Sequence, residues 1–191
     1  MIENLARSVR AFTSNVFHVD GRRPVVVDPG ANFDVLQALA DYPAPEAVVL
    51  THTHPDHVGN VPDVVAQYGV DVWGFDADHE HVDHAIADDE TVVLGDNEYR
   101  AVHTPGHKPD HLCFYAPEAG VLFAGDLVFP NGGFGRTDLP EADHATLVDS
   151  IERLLAETGE VSRLHVGHGH SVTEDARRHV ELALEAARAS A

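Results

Sequence analysis

Cysteine is nearly absent from this chain, and so is lysine. The single cysteine, Cys113, cannot close an internal disulfide. That excludes the cross-linked secreted scaffolds and points to a reducing, cytoplasmic setting. Its neighbours Leu112 and Phe114 mark it as a core residue rather than a nucleophile. Lys108 is the one lysine, and twelve basic residues face thirty-two acidic ones. The basic stripe that would track phosphates is missing, which argues against a nucleic-acid partner. No apolar run approaches the ~20 residues of a membrane span. The opening Met1-Ile2-Glu3-Asn4 lacks the charged and apolar regions of a signal peptide.

The surplus is acid. A formal net charge of −20 on 191 residues should self-repel at low salt. At molar salt the Debye length falls to about 3 Å and that repulsion is screened. The composition therefore reads as an intracellular protein of a salt-loving organism. The length suits one domain, residues 1–191, with 43% hydrophobic residues available for its core.

Apolar runs bounded by turn residues predict strands over 15–19, 24–27, 46–50, 70–74, 91–94, 98–104, 111–116, 121–125 and 163–166. Helical spacing predicts helices over 33–41 (capped by Asn32), from Asn60 to Gly69, over 143–156 and over 173–188. The polar stretch 76–89 is also expected to be helical, its His79, His81 and His84 lying on a solvated acidic face. Strands alternating with helices, some joined by hairpins, make the chain an α/β domain of mixed sheets with helices outside.

Fifteen histidines are the positive signal. The run Thr51-His52-Thr53-His54-Pro55-Asp56-His57 places three of them and a carboxylate directly after the strand Ala47-Val48-Val49-Leu50. That spacing suits two adjoining metal sites better than one. Three later stretches also set a His or Asp at the end of a strand beside glycine: His103-Thr104-Pro105-Gly106-His107, Gly125-Asp126 and Gly167-His168-Gly169. Strand ends hold side chains with little entropy left to lose, and glycine lets backbone approach closely.

In this order the motifs resemble those of the metallo-β-lactamase-fold hydrolases, and within them the compact glyoxalase II-like branch. Asp28-Pro29-Gly30 and the loop Gly135-Arg136-Thr137-Asp138-Leu139-Pro140 extend the likeness over most of the chain. The resemblance implies an αββα sandwich of two mixed sheets flanked by helices. It implies that His52, His54 and His107 hold one metal, that Asp56, His57 and His168 hold the second, and that Asp126 bridges both. Asp28 and His111 would steady the ligands from behind. Two divalent ions are implied, zinc foremost. Iron or manganese would also suit the carboxylate-richer second site.

Two such cations share a hydroxide that attacks an acyl carbonyl. The expected partner is thus a small-molecule thioester or lactone, with Asp56 as the catalytic carboxylate and Arg136 placed either to pair with a substrate carboxylate or to form a structural salt bridge. Three other readings share these residues: a one-iron persulfide dioxygenase, a nuclease of the same fold, and a metal-stabilised scaffold without activity. Two departures stand out. Asp110 occupies a position where many relatives have glycine. The larger glyoxalase II enzymes also continue into a helical domain that helps hold glutathione, whereas this chain ends soon after His168.

Overall fold

The computed structural model describes residues 1–190. The chain falls into two compact units, Met1–Ile86 with Val92–Glu98, and Ala87–Thr91 with the chain from Tyr99 onward. Among the described residues no helix is long and apolar enough to cross a membrane.

The first unit carries β1 (Ile2–Asn4), β2 (Phe17–Val19), β3 (Val25–Val27), α1 (Val35–Leu39), β4 (Ala47–Val49), α2 (Pro55–Val58), α3 (Val61–Tyr68), β5 (Asp71–Gly74) and β6 (His84–Ala85). Its sheet runs β1-β2-β3-β4-β5-β6. The first two pairings are antiparallel and the last three parallel. Strands β3 and β4 are buried throughout, as all-valine and alanine-valine strands in the middle of a sheet must be. Val26, Val48 and Val72 turn one way, into a cluster with Val35, Leu39, Val61 and Val64 of α1 and α3. The register Val27↔Val49 brings the ends of β3 and β4 level. The residues after them, Asp28 and Leu50-Thr51, therefore leave the sheet side by side.

Next come β7 (Thr91–Leu94), β8 (Asn97–His103), β9 (Leu112–Ala116), β10 (Val121–Phe123), β11 (Val128–Phe129), β12 (Gly133–Phe134), α4 (His144–Glu157), β13 (Arg163–His165) and α5 (Ala176–Ala189). The second sheet runs β13-β10-β9-β8-β7, with β9 antiparallel to both neighbours and β13 parallel to β10. Leu147, Ile151 and Leu154 of α4 and Ala176, Val180, Ala183 and Ala187 of α5 recur at helical spacing. Those faces cover Val102, Cys113, Leu122 and Leu164 of the sheet in one core. Asp143 starts α4 by accepting the Thr146 amide. Both sheets are mixed and both carry helices.

Two local expectations fail. Residues 76–89 are not a helix: they form turns on either side of the two-residue β6. Asp76 accepts the Asp78 amide, Asp83 accepts the Val72 amide, and the Asp83 amide returns to Val72 O. Short aspartate side chains that bond nearby backbone offer it a better alternative than a helical ladder. The cap of α1 is Asp34, which accepts the Gln37 amide, and not Asn32. Asn32 instead adopts a left-handed φ of 62° and donates its amide to Phe12 O.

Candidate functional site

In the first unit the donors gather where β3 and β4 end. Pro55 opens α2, where a missing N–H is harmless, and His54 caps it in extended conformation. This one-turn helix swings Asp56 and His57 back towards His52. The rings of His52 and His57 lie 4.0 Å apart, and His52 Nε2 is 3.1 Å from His54 Nδ1. Asp56 Oδ2 lies 3.9 Å from His57 Nε2.

Asp28 organises this group from below. It holds a left-handed φ of 51°, a conformation aspartate tolerates better than most residues. Its carboxylate accepts the Thr51 amide at 2.8 Å, the Thr51 hydroxyl at 2.7 Å and His57 Nδ1 at 2.9 Å. Because the Thr51 proton goes to Asp28, Thr51 Oγ1 must accept from His52 Nδ1, 3.1 Å away. Both neutral rings therefore carry their proton on Nδ1 and present the Nε2 lone pair, the form that binds a metal. Thr51, buried between these groups, escaped the sequence reading. Its one signal was its place between the strand and the first histidine.

In the second unit three loops converge. His107 follows Gly106, whose φ is 128° and where an added Cβ would fall 2.3 Å from Leu147 N. Only glycine lets this loop lie on the first turns of α4, which it grips through Asp143 N–H to Gly106 O and Ser150 Oγ to Pro105 O. Asp126 follows Gly125 at the end of β10. The Gly167 amide donates to Gly125 O, tying the exit of β13 to that of β10 and so carrying His168 beside Asp126. His107 Nε2 and His168 Nε2 lie 3.5 and 3.4 Å from the same oxygen, Asp126 Oδ2.

His107 Nδ1 donates to the backbone carbonyl of Arg136 at 2.9 Å. The neutral ring has no second proton, so its Nε2 lone pair faces a carboxylate oxygen. A divalent cation, or a second proton on the ring, removes that repulsion. Imidazoles with carboxylates, their tautomers set from behind, form a donor set that suits divalent metals. Gly135 entered the sequence analysis only as part of the loop 135–140, with no role of its own: a Cβ there would lie 2.2 Å from Asp126 O and 3.0 Å from His107 Cβ.

His111 is fully buried beneath Asp126, whose amide donates to His111 Nε2 at 3.0 Å. Arg136 forms a two-pronged, exposed pair with Asp138, at 2.9 and 2.8 Å. Asp110 is buried and paired with Lys108 at 3.1 Å, so a carboxylate is accommodated where glycine was expected. His103 bonds Pro109 O, and His165 bonds Ser171 and stacks on Phe123. Burial, with a smaller contribution from Arg163, pulls the His165 pKa down to about 4. His84 pairs with Asp71 on the surface.

The chain is similar to several known proteins. Hydroxyacylglutathione hydrolase GloC of Haemophilus influenzae is 28% identical over 86% of this chain and 90% of its own length. The hydroxyacylglutathione hydrolase of Enterobacter sp. (strain 638) is 38% identical over 78% of this chain, but the match spans only 60% of that enzyme. The crystal structure of TTHA1623 in a di-iron-bound form superposes with a TM-score of 0.76 at 31% identity, covering 97% of this chain and 96% of that one. A family model described as the metallo-beta-lactamase superfamily matches residues 9–174. This chain belongs to the metallo-beta-lactamase superfamily.

Proposed function

We propose that the two donor sets form one binuclear metal site that hydrolyses an acyl substrate, a thioester of the hydroxyacyl-thiol kind or a lactone. The observation that carries this reading is the set of tautomer locks, Asp28 and Thr51 behind His57 and His52 and the Arg136 carbonyl behind His107. Three separate partners, a carboxylate, a hydroxyl and a backbone carbonyl, turn the lone pair of a buried histidine outward, an expense of polar groups that a merely structural histidine does not need. In this reading His52, His54 and His107 would hold one ion, and Asp56, His57 and His168 the second. Asp126 is shared between them in this reading, and zinc is the first choice of ion. The relatives named as hydroxyacylglutathione hydrolases support the substrate class, and the di-iron form of TTHA1623 supports two ions.

When bound, such ions supply hydroxide near neutral pH and offset the negative charge that develops on the acyl oxygen. The protein's part is positional. Asp56, at the first turn of α2, orients the attacking water and takes up its proton. Asp28 and Thr51 keep His52 and His57 from turning. The exposed Arg136 fork is a carboxylate receptor already holding Asp138, and a substrate carboxylate would exchange with Asp138 there.

The test is elemental analysis together with a panel of thioesters, lactones, phosphodiesters and persulfides on metal-loaded protein. The expected result is close to two divalent ions per chain with release of thiol from S-lactoylated thiols. Asp126→Ala should lose both. One iron per chain with oxygen uptake on persulfides would replace this reading with the dioxygenase.

A further inference from the structure

A buried chain of side chains starts and ends on the three residues around Asp126. The Asp126 amide donates to His111 Nε2 at 3.0 Å. An acceptor at Nε2 leaves the ring proton on Nδ1, which donates to Thr104 Oγ1 at 2.8 Å. The Thr104 hydroxyl then points to Cys113 Sγ at 3.4 Å, and the thiol to Ala124 O at 3.7 Å. His111, Thr104, Cys113 and Ala124 are fully buried. Burial pushes the Cys113 thiol up to about 12, opposed by the Thr104 bond, so it stays a protonated donor. Every proton in the chain thus has one direction. Turning the ring tautomer over would set an Nε2–H against the Asp126 N–H, two donors 3.0 Å apart.

Between the two ends lies Gly125, at a φ of 47°, with the Leu127 amide donating to Ala124 O. A glycine hinge at this point would let the Asp126 carboxylate swing. The chain closes that hinge from both sides: His111 holds the amide after the glycine, and Cys113 the carbonyl before it. We propose that His111 is the positioning residue of Asp126, acting through the backbone amide, and that Thr104 makes it competent by fixing its tautomer. The proposal rests on the reading of Asp126 as a shared metal ligand. The class of ligand it serves is a divalent cation.

Two amide substitutions separate this role from simple core filling. In His111→Gln the side-chain oxygen reaches the place of Nε2 and can still accept the Asp126 amide. In His111→Asn the amide stands where Nδ1 was, and nothing reaches Asp126. Hydrogen exchange of the Asp126 amide and chelator-competed Zn2+ binding are measured on the full chain in KCl. Wild type and His111→Gln should keep the amide protected and bind zinc within about 3-fold of one another. His111→Asn should expose the amide and weaken zinc by about 10- to 100-fold, the range seen when partners behind metal ligands are removed.

A protected Asp126 amide or unchanged zinc affinity in His111→Asn overturns the proposal. Should His111→Asn not fold, Thr104→Val decides: the His111 ring-nitrogen shifts should lose the single-tautomer pattern, and Thr104→Ser should restore it. Unchanged shifts in Thr104→Val also overturn it. If the wild-type chain takes up no zinc, the binuclear reading fails, and amide exchange with the nitrogen shifts alone decides the role of His111.

Discussion

Asp28→Asn changes one thing about the first unit's donor group, the number of acceptor lone pairs at its base. Asparagine keeps the size and accepts the left-handed φ of 51° almost as readily, so backbone strain does not confound the result. The carboxylate takes three donors: the Thr51 amide, the Thr51 hydroxyl and His57 Nδ1–H. An amide oxygen can retain the first, but its NH2 then faces the other two. The Thr51 hydroxyl can rotate. The His57 ring cannot, and must move its proton to Nε2 to accept from the new amide. Hydrogen bonds to a buried charge are worth about 1.5–3 kcal/mol each, so losing one or two should cost about 2–5 kcal/mol of stability. Zinc affinity should fall by about 10- to 100-fold, because His57 no longer offers a lone pair. Urea unfolding in KCl measures the first quantity, and chelator competition the second. Long-range 15N–1H spectra report the His57 tautomer without any metal. Should His57 keep its proton on Nδ1 with stability unchanged, the account of how these histidines are presented is wrong.

Gly135→Ala should leave the helices intact by circular dichroism yet damage the second donor set. Its Cβ would sit 2.2 Å from Asp126 O, and a shift of about 1 Å there should reduce turnover by about 100-fold; wild-type turnover would refute the packing argument. His165 is held near pKa 4 against 6.5 when unfolded, so its contribution is complete above pH 6.5 and is lost as pH falls towards 4. Between pH 7 and 5 this amounts to about 2 kcal/mol, which EDTA-treated His165→Gln should no longer lose; parallel stability curves for the two proteins would contradict it. With a net charge of −20, the melting temperature should climb steeply between about 0.1 and 2 M KCl, as the screening length falls from about 10 Å to below 3 Å. A flat salt profile would remove the halophile reading.

What could be read from the sequence was what the chain encodes locally. His52, His54, His57, His107, Asp126 and His168 each follow a short apolar strand, and His54, His107, Asp126 and His168 stand directly beside proline or glycine. The α/β class, mixed sheets with helices outside, followed from the same strands, whereas the sandwich was implied only by the family resemblance. What failed was the polar stretch 76–89, where spacing suggested a helix but aspartate side chains and the edge of β5 took the backbone instead. What was missed depends on distant pairings. Thr51 matters because Asp28 lies beside it across a parallel register, and Gly135 matters because Asp126 O comes within reach. Neither relation leaves a trace in local composition.

The parallel pairing of β10 with β13 also sets an order of assembly. Strands β8, β9 and β10 are successive antiparallel neighbours, joined by the loop 104–111 and the turn 117–120, so His107, His111 and Asp126 can meet early through nearby contacts. Strand β13 is expected to enter beside β10 after α4 has formed and crossed over, because that pairing closes a long loop. His168 should therefore be the last of the second unit's donors to arrive. A refolding chain caught before that step would hold Asp126 already anchored but short of one imidazole. Zinc added during refolding should then speed the final phase rather than the first.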